Sequence, residues 1–262
     1  MLNVLYEDEQ VIVVWKPVGV EAQSSRGFGA DMVSEIRKHI HRLSTQSSTK
    51  QSPKQREPYV GVIHRLDKPV SGVMVYAKTK DAAASLSRQV ACGEMHKKYL
   101  AVLCGNVVDN VDNFVDYLLK DEKSNTSKIV DKGISGAKRA ELKYRILDRT
   151  QVEDYGELAL AEITLLTGRH HQIRVQMAGH GMPLWGDNKY NPRFANPAGN
   201  GSSGAVRYRG PRIDVALAAC QLTFRHPSTG KWLTFRKMPE GRIYRYFQID
   251  EYERKNGSAG NP

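Results

Sequence analysis

The chain of 262 residues carries 39 Lys and Arg against 28 Asp and Glu, a formal charge of +11, with 40% hydrophobic and 26% charged residues. No apolar run approaches the roughly 18 residues a membrane-crossing helix needs, and the longest candidate, Val11 to Trp15, has only the length of a strand. The N-terminus lacks the basic start and apolar core of a secretory signal and is too acidic for a transit peptide, so a cytoplasmic location follows by default. Cys92, Cys104 and Cys220 are odd in number, scattered and without zinc-like spacing. They are expected as small apolar residues in a reducing compartment, with no disulfide framework. The positive balance favours a polyanionic partner without establishing one.

The opening reads as a hairpin, with Val4 to Tyr6 and Val11 to Trp15 as β-rich runs around the polar turn Glu7 to Gln10. Lys16-Pro17-Val18-Gly19 then breaks the second strand. Met32, Val33, Ile36, Ile40 and Leu43 recur at helical spacing between Asp31 and Leu43. From Ser44 to Pro58 the composition turns polar, which predicts a surface loop. Ser71 to Ala77 is expected as a strand and Asp81 to Val90 as a helix burying Ala83, Leu86 and Val90. Tyr99 to Leu103 is the next strand. In the second half Ala140 to Leu147 and Leu158 to Leu166 read as paired strands, and Gln172 to Ala178 as a short helix ending at Gly179. Asn191 to Asp214 is a second long loop, followed by strands at Ala216 to Phe224 and Trp232 to Arg236 and a polar tail beyond Glu253. Strand runs outnumber helices and are linked too tightly for repeated βαβ crossovers. The expected class is therefore α+β with a mixed, largely antiparallel sheet, residues 1–250 forming one domain and 251–262 a tail.

Three constellations carry chemistry. The first, Gly61-Val62-Ile63-His64-Arg65-Leu66-Asp67-Lys68-Pro69-Val70-Ser71-Gly72, runs from an apolar strand end into a turn. Asp67 there is either a turn carboxylate accepting backbone N–H groups or an ionised nucleophile or base beside His64, Arg65 and Lys68. The second is Glu94-Met95-His96-Lys97-Lys98-Tyr99-Leu100, in which Tyr99 packs in the core or stacks on a nucleobase. The third is Thr167-Gly168-Arg169-His170-His171-Gln172-Ile173-Arg174-Val175-Gln176, a basic helix start. His170, His171 and His180 lie close in sequence, but adjacent histidines diverge and no carboxylate or Cys completes a metal spacing, so no metal is expected.

In this order, His-Arg-Leu-Asp, then Lys-x-Tyr, then Gly-Arg-x-His-Gln-Ile-Arg resembles the RluA family of RNA pseudouridine synthases. Tyr6-Glu7-Asp8-Glu9 with Val13-Val14-Trp15-Lys16-Pro17-Val18-Gly19 looks like the family's opening. Ser71 to Thr79, Gly181-Met182-Pro183-Leu184-Trp185-Gly186-Asp187 and Phe224-Arg225-His226-Pro227 look like its later landmarks. The resemblance runs from Val4 to about Pro239. Two departures bear on substrate choice: His170 where Thr or Pro is common, and Lys189-Tyr190-Asn191 where the family often has Leu-Tyr-Gly. Larger members carry an N-terminal S4-type RNA-binding domain, and a stand-alone catalytic domain without it is expected here.

The resemblance implies the pseudouridine synthase fold, with an active-site cleft, and isomerisation of uridine in structured ribosomal or transfer RNA after extrusion of the base. Asp67 would be the essential carboxylate, by covalent attack on the ribose or by removing a sugar proton. Arg174 would pair with Asp67, and Tyr99 would stack on the uracil and help remove the C5 proton. Arg65 would fill the vacated space or engage a neighbouring nucleotide, while His64, Arg169, His171 and Gln172 would shape the pocket or contact phosphates. No cofactor, metal or obligate protein partner is implied, and a monomer is the expectation. One rival is a catalytically silent RNA-binding protein on the same fold. Another is a zinc deaminase, which needs His-x-Glu and Pro-Cys-x-x-Cys motifs that this sequence lacks. A third is a hydrolase built on the histidine group.

Overall fold

The computed structural model describes residues 2–24, 31–47, 57–105, 107–153, 155–195, 213–249 and 252. In chain order the elements begin with β1 (Asn3–Glu7), β2 (Val11–Lys16), α1 (Met32–Ser47), β3 (Gly61–Val62), β4 (Ser71–Ala77), α2 (Lys80–Ala91) and β5 (His96–Cys104). There follow β6 (Val111–Asp121), β7 (Thr126–Val130), β8 (Lys138–Val152), β9 (Gly156–Leu165), α3 (Gln172–Gly179), β10 (Leu217–Arg225) and β11 (Trp232–Arg236). A 3-10 turn at Arg242–Tyr246 comes last. Two units result: Met1–His96 with Gln221–Lys237, and Lys97–Cys220 with the described residues after Met238. No helix among the described residues is long and apolar enough to cross a membrane.

In the first unit the strand order is β1-β2-β4-β10, with β3 added to β4 and β11 to β10. The pairs β1/β2, β2/β4, β3/β4 and β10/β11 are all antiparallel. Period-2 alternation sends Val11, Val13, Val73, Val75, Leu222, Phe224 and Phe235 to one face, where they pack with Leu86 of α2. Each such fully buried side chain contributes roughly 1.5–3 kcal/mol. The fully buried face of α2 is Ala82, Leu86 and Gln89; Ala83 packs partly buried against the same core, whereas Val90, expected inward, is exposed. A glutamine can take an inward position because its amide is fully used. Gln89 Nε2 donates to the Arg225 carbonyl and its Oε1 accepts the Arg225 N–H, both at 2.8 Å.

The opening motif is tied down by its acids. Asp8 accepts the N–H groups of Gln10 and Val11, the Tyr6 hydroxyl and a 2.7 Å bond from His226 Nε2. Burial pushes its carboxyl up, but these donors outweigh burial and hold it below the usual value. The helix α1 starts on Asp31, whose Oδ1 accepts the Ser34 N–H at 2.9 Å. It runs on through Ser44–Ser47, which the polar composition assigns to a loop; of the remainder up to Pro58, 48–56 lies outside the described residues.

In the second unit the order is β10-β5-β9-β8-β6-β7, with antiparallel β5/β9, β9/β8, β8/β6 and β6/β7. Leu100 and Val102 of β5 and Leu158 and Leu160 of β9 face a core closed by Trp185, Tyr244, Phe247 and Ile249. Near it, Glu162 on β9 receives Lys98 Nζ at 3.2 Å, Arg145 Nε at 2.8 Å and the Tyr252 hydroxyl. Val175 of α3 packs with Leu118 of β6 and Ala140 of β8 on the other side of the strands. The tail after 252 and the segment 196–212 of the second long loop lie outside the described residues. Cys104 and Cys220 are buried as expected, whereas Cys92, at the end of α2, is exposed.

Candidate active site

His64, Arg65 and Asp67 lie in the first unit, between β3 and β4. Asp67 is half-buried, Arg65 exposed, and Leu66 and His64 turn inward. The Asp67 carbonyl accepts the Val70 N–H at 3.0 Å, closing the turn that Lys68-Pro69 enforces. His64 Nε2 lies 3.4 Å from the Val75 N–H of β4, so the imidazole is braced by the strand that follows.

Beneath this turn lies Lys16, the last residue of β2, with 0% of its surface exposed. Its ammonium donates to the carbonyls of Pro17 at 3.0 Å, Val20 at 2.7 Å and Lys68 at 3.3 Å. The Gly19 N–H also bonds the Lys68 carbonyl, at 2.9 Å. Burial pulls the Lys16 ammonium down to about 8, and the negative charge of Asp67 pulls it back upward. At neutral pH a buried cation therefore supports the carboxylate turn. Sequence reasoning used Lys16 only as part of a strand break and an opening motif, and missed this role.

Tyr99, Arg169, His171, Gln172 and Arg174 belong to the second unit. Tyr99 is buried on β5, opposite Ile163 of β9. Lys97 precedes it by two residues and so shares its face of the strand. Burial pulls Lys97 down to about 8.

Arg174 rises from the first turn of α3 and is 2% exposed. Its Nε and Nη2 donate side by side to Oδ2 and Oδ1 of Asp187, both at 2.7 Å. Asp187, 0% exposed, also accepts the N–H groups of Lys189 at 2.9 Å and Tyr190 at 3.2 Å. The Tyr190 ring lies 5.2 Å from the guanidinium carbon. Asp187 was visible in the sequence only as the end of a landmark motif, thirteen residues from its partner.

The corner before α3 is built from its own side chains. Gln172 Oε1 accepts Thr167 Oγ1–H at 2.8 Å and the Arg169 N–H at 2.9 Å, while its Nε2 donates to the Glu141 carbonyl at 3.0 Å. Arg169 is exposed and donates Nε–H to the Arg139 carbonyl. His171 adopts a left-handed conformation, φ 53°, at the helix start, and its Nδ1 lies 2.7 Å from the Tyr190 hydroxyl. Burial first, then the nearby Arg174 and His170, push this imidazole down to about 2. The Tyr190 oxygen also accepts the Ser127 N–H at 2.8 Å. His170 bonds Ser127 Oγ at 2.9 Å and stacks on His171, whereas His180 goes to Asp116. The three histidines therefore have separate partners.

A profile for RNA pseudouridylate synthase matches residues 10–179. Ribosomal large subunit pseudouridine synthase D of Neisseria meningitidis serogroup B is 33% identical over 95% of this chain. The chain spans 61% of the length of that relative. An uncharacterized RNA pseudouridine synthase of Bacillus subtilis, YlyB, is 32% identical over 98% of this chain and 74% of its own length. The solved structure of human RNA pseudouridylate synthase domain containing 1 superposes with a TM-score of 0.70 at 18% identity, covering 100% of this chain and 97% of that one. The α+β architecture with its largely antiparallel strands is thus that of pseudouridylate synthase domains. With the Asp67 turn, Tyr99 and the Arg174 helix all present in the expected order, the chain belongs to the RNA pseudouridylate synthase family.

Proposed function

We propose that this chain isomerises uridine to pseudouridine in structured RNA, with Asp67 as the catalytic carboxylate and residues 1–250 acting as one catalytic domain. The observation that carries the reading is the buried Lys16 ammonium. It is fixed by three carbonyls under the Asp67 turn, an arrangement that supports a carboxylate kept ionised and aimed. Breaking the glycosidic bond needs such a group at the ribose, either as nucleophile or as base.

On the second unit, Arg174 supplies a guanidinium whose orientation is set by Asp187, and Tyr99 stacks on the extruded uracil. Arg65, exposed beside the carboxylate, engages the RNA the base has left. Arg169 is the exposed contact for phosphate on the other unit. His64, His171 and Gln172 shape the pocket. A ring held down to about 2 is neutral and gives no charge to a phosphate. The substrate is ribosomal or transfer RNA, with ribosomal RNA favoured by the likeness to the Neisseria ribosomal large subunit synthase, and the enzyme works as a cytoplasmic monomer without metal or cofactor.

The test is Asp67→Asn. The variant retains RNA binding and loses turnover, read by site-resolved pseudouridine mapping of RNA from a deletion strain complemented with either form. Full rescue by the variant removes Asp67 from the chemistry, whereas pseudouridine that persists in the uncomplemented deletion strain leaves a silent RNA-binding protein.

A further inference from the structure

The hairpin of β10 and β11 carries a surface that the chemistry above does not use. From Val215 to Pro239 the sequence holds Arg225, Lys231, Arg236 and Lys237 and no Asp or Glu. Leu222, Phe224 and Phe235 turn into the core of the first unit. The alternate residues, Gln221, Thr223 and Arg225, lie opposite Arg236, Thr234 and Trp232 and face the other way. They form a polar ladder. Arg236 Nε donates to Gln221 Oε1 at 2.8 Å, and the Thr223 and Thr234 hydroxyls meet at 2.9 Å.

At the open end of the ladder stands Trp232, 44% exposed. The Arg225 guanidinium lies 4.8 Å from its ring centroid, and the His96 ring lies 5.8 Å away at 29°. The other two tryptophans serve the cores: Trp185 is buried and Trp15 packs against the β-core of the first unit. A cross-strand Arg–Trp pair alone stabilises a hairpin only modestly. That role explains neither the half-open indole nor a stretch with cations and no acids.

The ladder also shares a face with the carboxylate turn. Trp15 and Val73 pack towards the core, so Lys16 points to the opposite face of the sheet, where it grips the Lys68 carbonyl next to Asp67. That is the face of Gln221, Thr223, Arg225 and Trp232.

We propose that Trp232 and Arg225 form a subsite for an unpaired nucleotide of the RNA substrate, the base stacking on the indole and the phosphate meeting Arg225 and Lys231. The subsite rests on the RNA-modifying reading above. A flat exposed indole accepts any base, and the uniformly positive hairpin complements the backbone.

The experiment titrates the full chain with a short oligouridylate, following intrinsic tryptophan fluorescence and anisotropy of a labelled probe. Binding should quench the emission of Trp232. Trp232→Phe should abolish the quench and keep most of the affinity. Trp232→Ala should weaken binding about tenfold, and Arg225→Gln should lower the salt slope by about one. Melting curves should show all three variants folded; Trp232→Phe and Arg225→Gln keep the test open should Trp232→Ala not fold. Wild-type protein that makes pseudouridine while oligouridylate leaves Trp232 emission unchanged, or a folded Trp232→Ala with wild-type affinity, overturns the subsite alone. Wild-type protein that neither binds nor isomerises RNA removes the functional reading with it.

Discussion

Arg174 and Asp187 meet in parallel, two 2.7 Å bonds between a guanidinium and a carboxylate that water does not reach. Such a pair is expensive to desolvate, and its net stabilisation over apolar residues is small. What it secures is direction. A guanidinium bonded through Nε and Nη2 has its plane fixed, and Tyr190 covers that plane. Removing the carboxylate takes two hydrogen bonds from a buried guanidinium. Asp187→Ala should therefore cost about 3–5 kcal/mol of stability, read by urea denaturation, and should lower activity by more than the folded fraction accounts for. A variant with wild-type stability would show that the pair is solvated in solution.

Gly186 and Gly181 make a matched test of the same segment. Both have positive φ, 73° and 79°. A Cβ on Gly181 meets nothing within 4 Å, whereas on Gly186 it would lie 2.2 Å from the Asp214 carbonyl oxygen. Gly181→Ala should cost only the left-handed penalty, about 1–2 kcal/mol. Gly186→Ala adds a backbone clash next to Asp187 and should cost several-fold more, with loss of activity. Equal melting temperatures for the two variants would contradict this.

Lys16 predicts an alkaline limit. Its ammonium sits at about 8, so the proton that holds the three carbonyls is lost as pH rises through that value. Single-turnover rates should fall above about pH 8. Lys16→Arg, which keeps its charge well beyond that range, should flatten the limb if the protein folds normally. Lys97, also at about 8, is the competing source, and an unchanged limb in Lys16→Arg assigns the effect there. Stability should move the other way. The unfolded lysines hold protons up to about 10.5, so the unfolded state binds more protons between about 8 and 10.5. These two groups therefore favour folding increasingly over that window. His171, neutral down to about 2, should give no limb near its ordinary value.

Tyr252 predicts an acid-sensitive variant. Burial raises the Glu162 carboxyl, but the Tyr252 hydroxyl, Arg145 and Lys98 more than offset it and leave it lowered. A carboxyl lowered on folding adds stability above its unfolded value of 4.5. That stability disappears as pH falls through the folded value. Tyr252→Phe removes one donor from a buried carboxylate and should cost about 1–3 kcal/mol at pH 7. The difference from wild type should shrink in acid. A constant difference down to full protonation would mean that Tyr252 acts through packing alone.

Short β-rich runs were legible: β4 and β11 fall where Ser71 to Ala77 and Trp232 to Arg236 predict them. The hairpin β6–β7 was not. Phe114 and Leu118 face inward, but Asp116 between them breaks the apolar period, because it serves as acceptor for Gln176 and His180. Helix α1 extends past its apolar stripe, and there Ser44 and Thr45 turn their hydroxyls onto the carbonyls of His41 and Arg42. Motif order pointed to Asp67, Tyr99 and Arg174, since those residue types recur in one sequence of landmarks. Their supports, Lys16 and Asp187, became visible only once folding had closed the intervening chain.

The three acceptors around Lys16 are main-chain oxygens. Every amino acid supplies such an oxygen, so positions 20 and 68 are free to drift among homologues without loss of the contact. The donor has no such latitude, for no other side chain delivers a slender ammonium through that depth of protein. The asymmetry turns one lysine into a bottleneck for divergence, set by geometry some fifty residues away from the acid it serves.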